Sequence, residues 1–214
     1  MLPFQAEANY EIRLEGHRAT AEAAWLARVA LAESGISPKA LMDAEKAGFV
    51  DYLANGEHAA VVYLGRDNLA NDGRVVNAIA QNGVRKDGPL RDEFAPVLHG
   101  NDPTRVVIVP TGDDALAVWT NSDDTSRPTV IVADSPEQLH PRVAQVIAKA
   151  QAVDVTRFPK AGLVADRARE LSPANEVRET TEEPAREVAR QAEVERTRVA
   201  AEELTRKNEL QRGR

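Results

Sequence analysis

Three short apolar runs in the second half of the chain, TRVVIVP from Thr104, PTVIVAD from Pro128 and AVDVTRF from Ala152, constrain it more than any other feature. Apolar stretches of this length suit strands that are covered on both faces, as parallel strands are. Between them lie DDALAVWTN and PEQLHPRVAQVIAKA, each long enough to be a crossover helix. Parallel strands need such crossovers, and the crossovers are right-handed. Residues 104–158 therefore predict two right-handed βαβ steps of a small, mostly parallel sheet flanked by helices, an α/β fold.

The flanking segments have different textures. TAEAAWLARVALAE, from Thr20 to Glu33, predicts a helix with Thr20 as N-cap and Trp25, Leu26, Val29 and Leu31 as its apolar face. Gly35 stops it, and Ser37-Pro38 opens a second helix with Leu41, Met42 and Ala44 inward, ending near Gly48. HAAVVYLGRD and RVVNAIAQNGV, separated by LANDG, predict a β-hairpin. From about Ser172 glutamates nearly balance arginines and lysines, a pattern for a solvated, long charged helix rather than a packed core. The expected division is a helical lead-in over 1–55, an α/β domain over 56–165 and a charged helical or partly disordered tail over 166–214.

Composition removes several classes of function. There is no cysteine, so disulfides, thiolate zinc sites, iron–sulfur clusters and cysteine nucleophiles are excluded. A net charge of −7 argues against one broad basic field for phosphate backbones. His17, His58, His99 and His140 are too dispersed for a helical ligand pair. No stretch is apolar enough to span a membrane, so no membrane insertion and a cytoplasmic location are expected.

The strongest local signal is VVIVPTGDDALAVW, where an apolar strand empties into a glycine turn and an acidic helix start. That places Thr111, Gly112, Asp113 and Asp114 at the carboxyl edge of a sheet, where open α/β folds put their sites. Asp113 and Asp114 suit capping of the helix. The alternative is a magnesium ion held by Asp113 or Asp114 together with Asp134 and Asp154 from the ends of the next two strands, because magnesium prefers hard oxygen ligands. Arg66, Arg74, Arg85, Lys86 and Arg91 gather loosely around the hairpin and are candidates for contact with single-stranded nucleic acid, although stacking aromatics are scarce. Trp25 and Trp119 read as core residues.

The stretch from SGISPKALMDAEKAGFVDYLANGEHAAVVYLGRD through GRVVNAIAQNG to TRVVIVPTGDDALAVW resembles the helical lead-in and Toprim-like fold of primase-related and conjugative plasmid proteins. The resemblance implies a catalytic Glu before a glycine at the end of the first strand and a later Asp-x-Asp pair for magnesium. Here Pro110 and Thr111 stand where the Glu would fall, Asp134 begins ADSP and Asp154 begins DVT. Neither Thr nor Pro can shuttle a proton, so the resemblance implies a degenerate member with no catalytic residue and no cofactor. EEPAREVARQAEVERTRVAAEELTRKNEL is similar to the C-terminal end of TraI-type conjugative relaxase-helicases. That similarity implies a noncatalytic interaction module of conjugative DNA transfer, with relaxosome or type IV secretion proteins as partners. A magnesium-dependent nucleotidyl-transfer or nuclease domain and a single-stranded DNA-binding module stand as alternatives.

Overall fold

In the computed structural model, which describes residues 18–55, 58–66, 75–80, 95–139, 141–173 and 175–180, two capped helices lead into two sheets. Helix α1 (Ala21–Glu33) starts where the Thr20 hydroxyl accepts the Ala23 N–H, 3.2 Å away. It ends in a glycine-based cap: Gly35, at φ 92°, donates to Ala32 and Ile36 donates to Leu31. Helix α2 (Pro38–Lys46) repeats this design, with Ser37 accepting from Ala40 at 3.0 Å and Gly48, at φ 68°, turning the chain out. Only glycine takes such positive φ values without strain, which fixes both exits.

Strands β1 (Val50–Asn55), β2 (His58–Arg66) and β3 (Val75–Ala80) form an antiparallel sheet in that order. The hairpin expected from the sequence is β2–β3, while β1 is an additional strand inside the segment taken as a helical lead-in. The larger sheet contains β4 (Val97–Leu98), β5 (Asp102–Val109), β6 (Pro128–Val132), β7 (Ala152–Val155) and β8 (Glu176–Glu179), in the order β4-β6-β5-β7-β8. Every pairing in it is parallel except β4 with β6. Helix α3 (Gly112–Thr120) joins β5 to β6, α4 (Pro141–Ala148) precedes β7, and α5 (Ala161–Leu171) joins β7 to β8. The fold is thus a mixed α/β architecture built on a small, mostly parallel sheet.

Strand alternation sends β5 into two cores. Val107 and Val109, with Val130 and Val132 beside them, pack against α3, the helical hairpin and the smaller sheet. Val106 and Ile108, with Ile131, Val153 and Val155, pack against Val143 and Ile147 of α4 and Val164, Ala165 and Ala168 of α5. Both faces of the central strand are therefore dry, and the uninterrupted apolar run follows from that.

The structure changes two further expectations. Trp25, Leu26 and Met42 are 59%, 48% and 49% exposed: the hairpin buries Leu31, Leu41 and Ala44 as expected, but with Ala23, Ala24 and Ala40 in place of those three. Trp119 is buried as expected, its indole N–H donating to the Pro128 carbonyl at 3.0 Å. The sheet also has a third βαβ step, since Glu176–Glu179 pairs with β7 inside the segment assigned to the tail. An edge strand keeps one side in solvent, so charged residues there carry little penalty. The long charged helix expected further on lies outside the described residues. Among the described residues no helix is long and apolar enough to cross a membrane.

A charged network fastens α2 to the larger sheet. The Arg127 side chain, only 6% exposed, pairs with Asp43 at 2.7 Å and with Asp124, and its guanidinium lies 4.9 Å from the centre of the Trp119 ring. Lys39 reaches both carboxylates at 3.0 and 2.8 Å. The Arg127 and Lys39 cations hold the Asp43 carboxyl below its ordinary value. A depressed carboxylate stabilises the fold above its unfolded pKa and loses that contribution as pH falls through the folded value. Asp43→Asn should therefore cost about 1.5–3 kcal/mol at neutral pH, and urea titrations should show the gap from the parent closing below about pH 4. A chain cut after Leu171 loses β8 and should melt at least about 4 °C below one cut after Thr180, by circular dichroism.

Candidate functional site

The central strand β5 ends at Val109, and its two neighbours continue beside it. Ala133 donates its N–H to Val109 at 2.8 Å, and Thr156 donates its N–H to Ile108 at 3.0 Å. The strand order reverses here, since β6 lies on one side of β5 and β7 on the other, with α3 on one face and α4 on the opposite face. Such a switch point opens a crevice beyond the carboxyl ends of the strands. Its rim is formed by Pro110 and exposed Thr111 from β5, exposed Asp134 and half-buried Ser135 after β6, and Thr156 and exposed Arg157 after β7.

Of the carboxylates expected at this rim, those of Asp113 and Asp114 are engaged, Asp134 stands exposed on it and Asp154 lies below it. Thr111 is the N-cap of α3: its hydroxyl oxygen accepts the Asp114 N–H at 3.2 Å, and the same hydroxyl donates to the Asp114 carboxylate at 2.6 Å. Asp113, 1% exposed, accepts a hydrogen bond from the buried Tyr63 hydroxyl of β2. Asp134 is exposed on the neighbouring loop, where its backbone N–H donates to Gln138 at 2.7 Å. Asp154 is not at a strand end. It is the third residue of β7, in register with Val107 and Arg178, and so lies on the α3 side of the sheet below the rim. Asp113 and Asp114 are thus brought together with each other, while Asp134 and Asp154 do not join them. Among the described residues no three His, Asp or Glu side chains form a group able to hold a metal ion.

Sequence reasoning missed Tyr63 and the role of Gly112. A Cβ at Gly112 would overlap the Tyr63 ring, so the helix start and the β2 side chain touch face on. The available signal was chemical, because a tyrosine in an apolar strand needs a partner for its hydroxyl once buried. A second tyrosine network lies under α1. Tyr52 donates to Glu45 at 2.5 Å, Arg28 pairs with Glu45 at 2.7 Å, and the Arg28 guanidinium lies 4.8 Å from the centre of the Tyr52 ring. Burial, then the Glu45 carboxylate, pushes the Tyr52 phenol above its ordinary value, so it stays a donor.

Of the basic residues proposed for nucleic acid, Arg66 closes β2, and Arg74, Arg85, Lys86 and Arg91 lie outside the described residues. Of the histidines, His58 opens β2, His99 is exposed just after β4, and His17 and His140 lie outside the described residues.

With this geometry in place, comparison with solved structures gives a likeness of fold. The chain is similar to the crystal structure of the primase fragment of the bacteriophage T7 primase-helicase protein, with a TM-score of 0.50 and 13% identity. The fold is Toprim-like. The match covers 70% of this chain and 64% of the T7 fragment, so it spans less than two thirds of that fragment's length. No protein-family model matches the chain, and a search of curated proteins found no match.

The Tyr63–Gly112–Asp113 junction generates a direct test. Tyr63→Phe removes one hydroxyl that donates to the buried Asp113 and should cost about 1–3 kcal/mol. Gly112→Ala should be destabilising beside Tyr63 and much less so in a Tyr63→Ala background, a coupling that a double-mutant cycle of urea midpoints measures.

Proposed function

We propose that this chain is a noncatalytic protein-interaction module on a Toprim-like scaffold, serving the DNA-transfer machinery of conjugative plasmids. One observation carries the noncatalytic part. At the end of β5 the carboxylates are committed to structure, with Asp113 engaged by Tyr63 and Asp114 by Thr111, and the position before Gly112 holds a hydroxyl instead of an acid. General acid–base work needs a group whose proton is free to move, and magnesium needs oxygen ligands with open lone pairs. The conjugative setting rests on the resemblance of the lead-in and of the Glu/Arg-rich segment, and it supplies relaxosome or type IV secretion proteins as partners.

A second reading draws support from the likeness to a primase fragment. In it the chain performs magnesium-dependent nucleotidyl transfer or cleavage through Asp113, Asp114, Asp134 and Asp154. The spread of these four over a helix start, a loop and mid-strand β7 weighs against it.

The test uses the full chain, titrated calorimetrically with magnesium and manganese and assayed for primer synthesis and cleavage on single-stranded DNA with ribonucleotides. The proposal expects no saturable metal binding and no product. A metal-dependent product that disappears in both Asp114→Asn and Asp134→Asn would establish the second reading instead.

A further inference from the structure

We propose that the outward face of α1 is a docking surface for an amphipathic helix of another protein, one with an apolar stripe and basic residues at both ends. The proposal deepens the interaction-module reading and rests on it.

Helix α1 is apolar on two sides. Ala23, Ala24 and Leu31 face the core, yet Trp25 is 59% exposed and Leu26 48% exposed. Val29 and Ala30 continue that outer stripe at helical spacing, Val29 half-buried and Ala30 exposed. A helix that is apolar all round belongs in an interior, so one at a surface has a face still to cover. The adjoining α2 adds Met42, 49% exposed, one turn before the Glu45 that bridges to Arg28 of α1.

The charges around the stripe select the occupant. Exposed Glu22 and Glu33 stand at its two ends, and no described residue pairs with either. Glu22 sits in the first turn, where the helix dipole favours it. Glu33 is in the last turn, where the dipole opposes an anion, and no basic residue accompanies it there. Its placement does nothing for α1 itself. The cation of this helix, Arg28, is taken up by Glu45 and the Tyr52 ring.

Two carboxylates flanking an apolar stripe repel anionic lipid headgroups and nucleic-acid phosphates. A second copy fits no better. A two-fold pairing of α1 with itself sets Glu22 against Glu33 if antiparallel and against Glu22 if parallel, like against like either way. A foreign helix with Lys or Arg about 16 Å apart, eleven residues at 1.5 Å each, satisfies both ends while its apolar residues cover Trp25 and Leu26.

The experiment takes the full chain and two synthetic helical peptides of Leu and Ala, one carrying lysines three turns apart and the other glutamates at the same places. Trp25 is the reporter, because the other tryptophan, Trp119, is buried. The lysine peptide should shift the emission to the blue, shield Trp25 from acrylamide and bind about tenfold or more tightly than its glutamate twin. Leu26→Glu, an exposed site whose melting curve should not move, should weaken binding by about tenfold or more. The double variant Glu22→Lys/Glu33→Lys should reverse the preference to the glutamate peptide. Equal binding of the two peptides, absence of binding, or Trp25 already shielded in the free chain would overturn the proposal. So would self-association, seen by sedimentation, that Leu26→Glu abolishes. The metal titration and primer assay above separate the two failures: a dead peptide assay with no metal-dependent product sinks this surface alone, and a metal-dependent product sinks the module reading.

Discussion

A single strand under two dry faces governs this molecule. β5 gives Val107 and Val109 to one core and Val106 and Ile108 to the other. The helical hairpin, the antiparallel sheet and α3 gather on one side of it, and α4 and α5 gather on the other. Burial of a medium-sized aliphatic side chain is worth about 1.5–3 kcal/mol, so these few residues account for much of the cohesion between otherwise separate layers. Polar groups at the seams are arranged around that constraint. Arg127 fastens α2 to the start of β6, and Tyr63 fastens β2 to the start of α3.

The rim above β5 shows how a site geometry and a packing requirement can compete for the same side chains. A helix start at a sheet's carboxyl edge attracts carboxylates through its dipole and its open N–H groups. Asp113 and Asp114 answer the dipole in the first turn while the Thr111 hydroxyl caps the N–H of Asp114, and Asp113 also provides the acceptor that the Tyr63 hydroxyl needs once it is buried. A carboxylate so engaged is held in one orientation by its partner. Gly112 adds a steric condition, because the Tyr63 ring occupies the space a Cβ would take.

How much of this was legible in the sequence depended on how many faces of an element are buried. Strands β5 and β6 are covered on both sides, so continuous apolar runs betrayed them. The charged edge strand Glu176–Glu179 left no comparable trace and was read as part of a solvated tail. β1, in VDYLAN, mixes polar and apolar residues and follows a glycine exit, which hid it behind the helix before it. Helix α1 was found with its N-cap, but its apolar residues surround it, and of those expected on one face Leu31 is covered while Trp25 and Leu26 are exposed. At the rim, the placement of Asp113 and Asp114 followed from the strand–glycine–helix pattern. Asp154 went astray because its strand begins at Ala152 and leaves it mid-strand, a matter of register. The Tyr63–Asp113 contact joins residues 50 positions apart, beyond the reach of any local pattern.

The order β6-β5-β7-β8 has a bearing on how the chain assembles as it leaves the ribosome. β5 emerges first among the parallel strands; β6 then joins one of its edges, β7 the other, and β8 the new outer edge. No pair already formed has to be pried open to admit a latecomer, so growth outward from a seed follows the direction of synthesis.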